Sequence, residues 1–278
     1  MALLQSVGRL LPGPGALILV TLALVACTLL EMLAPARTGE RADKPLNLAI
    51  GALYMVVQTA FTVGAGPLIV LAVNAAGGGL IALPSSGWRL LFAAVVYFLA
   101  MDLGDYLFHR AQHAIPALWA MHSLHHSDQA FGATTTNRHF WLEPILKTMT
   151  TYLAVGLTFK IAPVIVLVWS LGSLYNFLCH SNVRIGFGPA SWMLNSPQYH
   201  RLHHAAADEY HKCNYAALLP IWDVIAGSYQ RPCAGEYPAT GIDTGEQPAS
   251  IVEAVLWPWR RLVTGQRRPA TALHPEPG

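Results

Sequence analysis

Charged residues leave long gaps in this chain. No Asp, Glu, Lys or Arg occurs from Pro45 to Trp88, nor from Ile161 to Val183, whereas residues 200–278 hold 15 of the 32 charged side chains. A helix needs about 20 mostly apolar residues to cross a bilayer, and a charge at its centre costs about 2.5–3.5 kcal/mol on insertion scales. Ala16–Ala34 meets that requirement, with Glu31 near its end. Leu46–Val73 is long enough for one span and a re-entrant or shorter second piece, with Gly64, Gly66 and Pro67 as a break. Trp88–Met101 is a third apolar run, continuing into Asp102 and His109, and Ile145–Phe159 with Val164–His180 reads as a helical hairpin turning at Lys160 and Pro163. The pattern predicts an all-α, multi-pass membrane helical bundle of about four spans, with a cytoplasmic helical cap. Residues 1–108 form the N-terminal transmembrane helices and 109–235 a histidine-rich region that includes the hairpin at about 145–180. Residues 236–278 form a C-terminal cytoplasmic tail, with disorder expected after Arg267.

Between the first two apolar runs, Arg37, Arg41 and Lys44 outnumber Glu40 and Asp43, which assigns that loop to the cytoplasm. Counting spans from there brings His109 and His180 out on the same cytoplasmic side. Arg9 and Leu24-Val25-Ala26-Cys27 imitate a bacterial lipoprotein signal, but the apolar run continues through Thr28-Leu29-Leu30, so a retained span is expected. Composition agrees with a membrane protein: 54% of residues are hydrophobic, 12% are charged and the mean hydropathy is +0.40. That balance argues against a soluble globule and against disorder. A net charge of +2 is too small to suggest a nucleic-acid partner. Cys179, Cys213 and Cys233 show no paired spacing and are expected to be small buried residues.

Twelve histidines against 15 Asp and Glu is the second anomaly, and eleven of the twelve fall between residues 109 and 211. His109 and His113 are spaced i,i+4, so a helix puts both rings on one face. His122-Ser-Leu-His125-His126 and His200-Arg-Leu-His203-His204 each pair i,i+3 and i,i+4 rings on a shared face. The adjacent pair in each box diverges by about 100°, so one such pair can serve two metal ions. Packing eight titratable rings together without metal would be costly, and imidazole suits Fe, Zn, Cu and Ni. His180, ending an apolar helix on the same side, is a ninth candidate ligand. His139 and His211 stand as ligands, as hydrogen-bond partners of ligands, or as merely polar surface, while His274 in the tail is idle. Asp102 and Asp105, seven and four residues before His109, are candidates to orient a ligand ring, or else mark a helix end reaching water. Arg110, Arg138 and Arg184 could hold lipid head groups or sit in the anionic interface.

The boxes also come in a particular order with particular flanks. Asp102 precedes His109-Arg110-x-x-His113; Leu118-Trp119 precede His122, His125, His126 and Ser127; then come Thr135, Asn137, Arg138 and His139. His180-Ser-Asn182, Ser196-Pro197-x-x-His200-Arg-x-His203-His204, Asn214-Tyr215 and Trp222-Asp223 complete the series. From Asp102 to Tyr229 this resembles the fatty acid hydroxylase/sterol desaturase superfamily of integral-membrane histidine-box oxygenases. The resemblance implies a non-haem centre of two iron ions that activates O2 to hydroxylate or desaturate a C–H bond of a lipid. Sterol, fatty acyl, sphingoid, alkylglycerol and carotenoid substrates are all open. The three residues inside the first box match the sterol-modifying and alkylglycerol-type branches better than acyl-chain desaturases. Phe140, where many members have Pro, and Ala216, where Gly commonly follows Asn-Tyr, depart from the pattern and bear on substrate choice.

On this reading His109, His113, His122, His125, His126, His180, His200, His203 and His204 are the metal ligands. His139, His211, Asp102, Asp105 and Asn214 stand as additional ligands or their supports. Zinc is able to take the place of iron in purified material. Two electrons per turnover come from outside, because no Rossmann glycine motif, haem motif or ferredoxin cysteine set occurs. A ferredoxin or cytochrome-type reductase is therefore an expected partner at the cytoplasmic face. The lack of a fused cytochrome domain and of an ER-retrieval C-terminus favours a bacterial inner membrane over the ER. A membrane zinc hydrolase is the first rival, yet HExxH is missing and no carboxylate lies inside a box. A metal-binding or transport protein would want ligands along a membrane path, which only His180 approaches. A b-type haem anchor needs facing axial pairs and has no use for HxxHH triplets.

Overall fold

The computed structural model describes residues 14–39, 43–207, 210 and 212–263. His211, His274 and the segment after Arg267 lie outside the described residues. The chain opens with two apolar helices, α1 (Pro14–Leu33) and α2 (Lys44–Ala75). Asp43 starts α2 by accepting a hydrogen bond from Leu46 N, with Pro45 in the first turn. The expected break at Gly64, Gly66 and Pro67 does not occur: α2 is one helix of 32 residues with Pro67 inside it. In an apolar run the backbone groups freed by unwinding would find no water, so the helix continues through the proline. At 1.5 Å per residue α2 is about 48 Å long, well over the roughly 30 Å of a hydrocarbon core.

The third apolar run is α3 (Arg89–Ala114), which carries the first histidine box in its last turns. A one-residue hinge at Ile115 leads into α4 (Pro116–His126), which carries the second. The hairpin rises through α5 (Glu143–Lys147), a π turn (Thr148–Tyr152) and α6 (Leu153–Thr158), and returns through α7 (Pro163–Ser173) and α8 (Tyr175–Cys179). Beyond it lie α9 (Pro197–His203), α10 (Ile221–Ala226) and α11 (Ile251–Val263). Among the described residues, α2 and α3 are long and apolar enough to cross a membrane. The apolar part of α1, Ile18–Leu33, is shorter, and the hairpin is divided into short helices.

Backbone pairing sorts the loops into two ends. Leu80 N donates to Leu157 O and Leu83 N to Lys160 O, and β1 (Ile81–Ala82) pairs in parallel with β2 (Phe159–Lys160). The α2–α3 loop and the hairpin turn therefore share one end. Gly79 is required there: its φ is +111° and a Cβ would lie 2.5 Å from Lys160 N. At the other end Ala36 N donates to Asn182 O, Pro35 bridges Val183, and Glu31 accepts from Ala133 N and Asn182 N. The end of α1 is thereby tied to the residues that follow α8.

The histidine helices are fixed by packing and by a buried polar knot. Trp119, Leu124 and Phe140 pack with Leu46 and Ile50 of α2 and with Trp257 of α11. Each such side chain contributes about 1.5–3 kcal/mol on burial. Trp257 also donates from Nε1 to Ser123 Oγ at 2.9 Å. The segment expected to be a tail thus includes a helix seated on α4. Arg138, fully buried, donates to Leu124 O, Asn47 Oδ1 and Ser127 Oγ, while Asp128 accepts from Asn47 and Thr135. Arg138 is thus a clamp on the end of α4, not a lipid contact. Cys27, Cys179 and Cys213 are buried thiols, whereas Cys233 is exposed, contrary to expectation, because it sits in a surface turn.

Candidate metal centre

Eight of the nine expected ligands are buried and the ninth, His109, is half-buried, in two adjoining groups. His109 and His113 of α3, His122 and His126 of α4 and His203 of α9 make one; His125, His180, His200 and His204 make the other. Within each group the possible ligand atoms lie within 4.8 Å of one another. Helical geometry makes the division: His126 and His203 turn to the first group, and their neighbours His125 and His204 turn about 100° away to the second. His126 and His204 stack with ring centroids 4.2 Å apart, which sets the two groups side by side.

Hydrogen bonds decide which nitrogen each ring offers. His109 Nδ1 donates to Tyr215 O at 2.6 Å, His203 Nδ1 to Cys213 O at 2.8 Å and His180 Nδ1 to Asn176 O at 2.8 Å. A carbonyl can only accept, so these rings carry their proton on Nδ1 and turn an Nε2 lone pair inward. His109 Nε2 and His203 Nε2 then face each other at 3.0 Å, and His180 Nε2 faces His200 Nε2 at 2.9 Å and His125 Nε2 at 3.2 Å. Two bare lone pairs at that distance repel unless a cation lies between them. Two nitrogens bound to one metal ion at about 2.0–2.2 Å would stand about 3 Å apart. Buried Nε2 atoms of His122, His126 and His204 have no hydrogen-bond partner. Burial, followed by the neighbouring rings, pushes His125, His126, His200 and His204 well below the usual imidazole range. Neutral, inward-facing imidazoles are what a divalent transition metal requires, so both donor sets fit one.

Glu143 was missed in the sequence, yet it holds the edge of the first group. It accepts from His122 Nδ1 (3.2 Å), His139 Nδ1 (3.1 Å), Gln112 Nε2 (2.6 Å) and Phe140 N (2.9 Å). Burial alone would raise its pKa, but the His139 and His122 rings hold it well below the usual carboxylate range. The signal was available: Glu143 is the lone acidic residue between Asp128 and Asp208, four positions after His139 at the start of an apolar helix. His139 stacks on His125 with centroids 4.2 Å apart and belongs with His122 and Glu143 to a third small group.

The other expected supports sit elsewhere. Asp102 orients no histidine; it accepts from Leu218 N, Leu219 N and Trp222 Nε1, anchoring the loop before α10. Asp105 does not reach His109 either, because Lys147 of α5 takes it at 2.9 Å. Asn214 ligates nothing directly. It adopts φ +60°, exchanges hydrogen bonds with Gln230, and so aims the flanking carbonyls of Cys213 and Tyr215 at His203 and His109. Asp223 braces the same loop by accepting from Tyr215 N, Ala216 N and Tyr199 Oη. A cavity of about 310 Å³ opens against His109, His122, His125, His180 and His200 and runs between α1, α2, α3, α5 and α8.

Comparison with known proteins agrees with this geometry. The fatty acid hydroxylase family matches residues 94–228, which contain every box and both groups. Alkylglycerol monooxygenase of Xenopus tropicalis is 34% identical over 133 residues, 48% of this chain and 29% of that protein. The human alkylglycerol monooxygenase is also 34% identical, over 135 residues and 29% of its length. Ornithine lipid hydroxylase OlsE of Rhizobium tropici is 26% identical over 174 residues, 63% of this chain and 52% of that protein. The aligned region thus spans between about a third and a half of these relatives. No solved structure matches the chain. Residues 94–228 match the fatty acid hydroxylase family, and the same region carries the similarity to alkylglycerol monooxygenases and to the ornithine lipid hydroxylase, which supports the fatty acid hydroxylase superfamily for this part of the chain.

Proposed function

We propose that the chain is a membrane-bound di-iron oxygenase that hydroxylates a lipid. The observation that carries this reading is the pair of inward-facing Nε2 atoms on His109 and His203, each with its Nδ1 committed to a carbonyl. His109, His113, His122, His126 and His203 hold one iron; His125, His180, His200 and His204 hold the other. Iron so bound supplies an oxidant able to attack an unactivated C–H bond, which side chains alone cannot do. The balance is one O2, two electrons and two protons for each C–H converted to C–OH, with one water released. The electrons come from a ferredoxin or cytochrome-type donor at the cytoplasmic face.

The protein's own part is to orient and to exclude. Carbonyls at 213 and 215 and the Glu143 carboxylate fix ring tautomers, and burial of the ligand rings limits the water that reaches them. The cavity opens between apolar helices, so a lipid reaches the site without leaving the bilayer. A zinc hydrolase is less well supported, because the nearest carboxylate, Glu143, already accepts four hydrogen bonds and is not placed to deprotonate water. The test is metal content and O2 uptake of the detergent-purified protein with reductant and candidate lipids. Two irons per chain and lipid-dependent O2 uptake are expected. Lipid turnover that persists without O2 would overturn the proposal in favour of hydrolysis.

A further inference from the structure

The helix that covers α4 carries a second apolar stripe, which faces away from the protein. Ala254, Trp257, Pro258 and Arg261 of α11 are buried, whereas Val252, Leu256, Trp259 and Val263 are exposed. The exposed four are spaced by four, three and four residues, so they form one continuous face. Leu256 is 55% exposed and Val263 86%. Such a stripe is costly against water, which marks it as a contact surface. Its position says what covers it. Ile251, Ala254 and Val255 line a narrow crevice with Ile50 and Leu53, near the start of α2. Leu48, Met55 and Val56 of α2 are themselves exposed, on a helix long enough to cross a bilayer. The stripe therefore borders the apolar surface of a candidate span. Arg260, about 100° round the helix from Trp259, is exposed beside it. Tryptophan and arginine at the edge of an apolar face are the composition of a helix lying in a membrane interface.

A second exposed patch lies beside the histidine half of α3. Leu218 N and Leu219 N donate to Asp102 at 3.2 and 3.1 Å, and Trp222 Nε1 donates at 2.8 Å. Asp102 is fully buried on α3, seven residues and so about 10 Å short of His109. These bonds draw the loop before α10 down the side of α3, where Leu218 packs with Ala93, Tyr97 and Trp169. Irregular backbone at that depth needs its amides satisfied, which Asp102 does. The helix α10 then leaves Val224 and Ile225 exposed, Ile225 by 70%. Asn195 N donates to Leu218 O, and Ser191 Oγ shares a hydrogen bond with Tyr229 Oη, so exposed Trp192, Met193 and Leu194 are held close by. The two patches belong to separate cores, and a bilayer, which surrounds a protein, reaches both. We propose that the outward faces of α11 and α10 lie in the head-group layer, so that the histidine-bearing cap is partly sunk into one leaflet. The partner is a lipid surface. The inference rests on the chain being membrane-bound and not on the reaction it catalyses.

The experiment attaches the fluorophore bimane to single introduced cysteines in a Cys233→Ser protein, since Cys27, Cys179 and Cys213 are buried. Val252→Cys and Leu256→Cys report on α11, Ile225→Cys on α10, Val56→Cys on α2 and Asp243→Cys on an exposed polar loop. Each labelled full-length protein is reconstituted into phosphatidylcholine vesicles, plain or brominated on the acyl chains near the head group. Bromine quenches only on contact, and the plain vesicles correct for any other quencher. Emission at the α11 and α10 sites should fall about twofold in brominated vesicles, as at Val56, with the Asp243 site unchanged. An α11 or α10 site left unquenched while Val56 is quenched would overturn the inference alone. No quenching at any site, Val56 included, would overturn it together with the membrane placement. An unquenched Leu256→Cys that instead cross-links to its own copy would assign the stripe to a second chain and overturn it as well.

Discussion

At the residue scale, the account turns on which atoms hold the rings. Glu143 is the sharpest example, because it supports His122 and His139 without belonging to any box. Glu143→Gln keeps the volume but exchanges an acceptor for a donor at one position. The expected outcome is a folded protein with metal affinity reduced about 10–100-fold, read by chelator competition. Asn214 acts through its neighbours' carbonyls, and its left-handed backbone disfavours any branched residue. Asn214→Val should cost about 2–4 kcal/mol from strain and lost hydrogen bonds and should loosen both His109 and His203. A thermal melt together with iron content measures both effects; unchanged values for both would contradict the role given to this residue. The boxes themselves were legible because a metal needs several imidazoles at helical spacing. Asp102 and Asp105 were misread and Glu143 was passed over, because a carboxylate finds its partner through tertiary packing, which spacing along the chain does not encode.

At the element scale, the helices follow the apolar runs, and the surprises come from neighbours. The gap free of charge from Pro45 to Trp88 does contain the helix α2, but Gly64, Gly66 and Pro67 do not break it. Breaker residues signal an ending only where water or another partner can satisfy the freed backbone. The amphipathic helix α11, within the segment expected to be a cytoplasmic tail, covers α4 with Trp257 and leaves Val252, Leu256 and Trp259 outward. Trp257→Ala should destabilise the protein by about 3–5 kcal/mol through the cavity it leaves. Because α4 carries His122, His125 and His126, bound iron should fall with it. Iron retention with an unshifted melting temperature would show that α11 does not hold the centre. Gly51 of α2 faces Asn137 so closely that a Cβ would lie 2.6 Å from Asn137 Cβ. The missing side chain lets the 3-10 turn at Ala133–Asn137 seat directly against α2.

At the scale of the whole molecule, burying so many neutral imidazoles makes stability depend on pH and metal. Burial lowers the pKa of His122, His125, His126, His200 and His204 in the folded state. Below about pH 6.5 the unfolded chain therefore binds protons that the folded chain refuses, so stability is present above that pH and lost as pH falls. Each such ring contributes a slope of about 1.4 kcal/mol per pH unit in that window. The metal-stripped protein should melt at a steeply falling temperature from pH 7 to pH 5.5. With iron bound, the fall should begin at lower pH, since a ligated ring has no lone pair to protonate. A metal-stripped melting temperature that is flat over this range would contradict the neutral, buried state assigned to the rings.

The central claim is that these histidines serve oxygen insertion into a lipid C–H bond. The most direct measurement is mass spectrometry of the lipid product formed under 18O2 by the iron-loaded protein, with a chemical reductant and 1-O-hexadecylglycerol. The account predicts a product carrying one 18O atom from O2 for each turnover, and none formed by a His126→Ala protein that has lost iron. Product oxygen drawn from water, or lipid product formed equally well without O2, would contradict it.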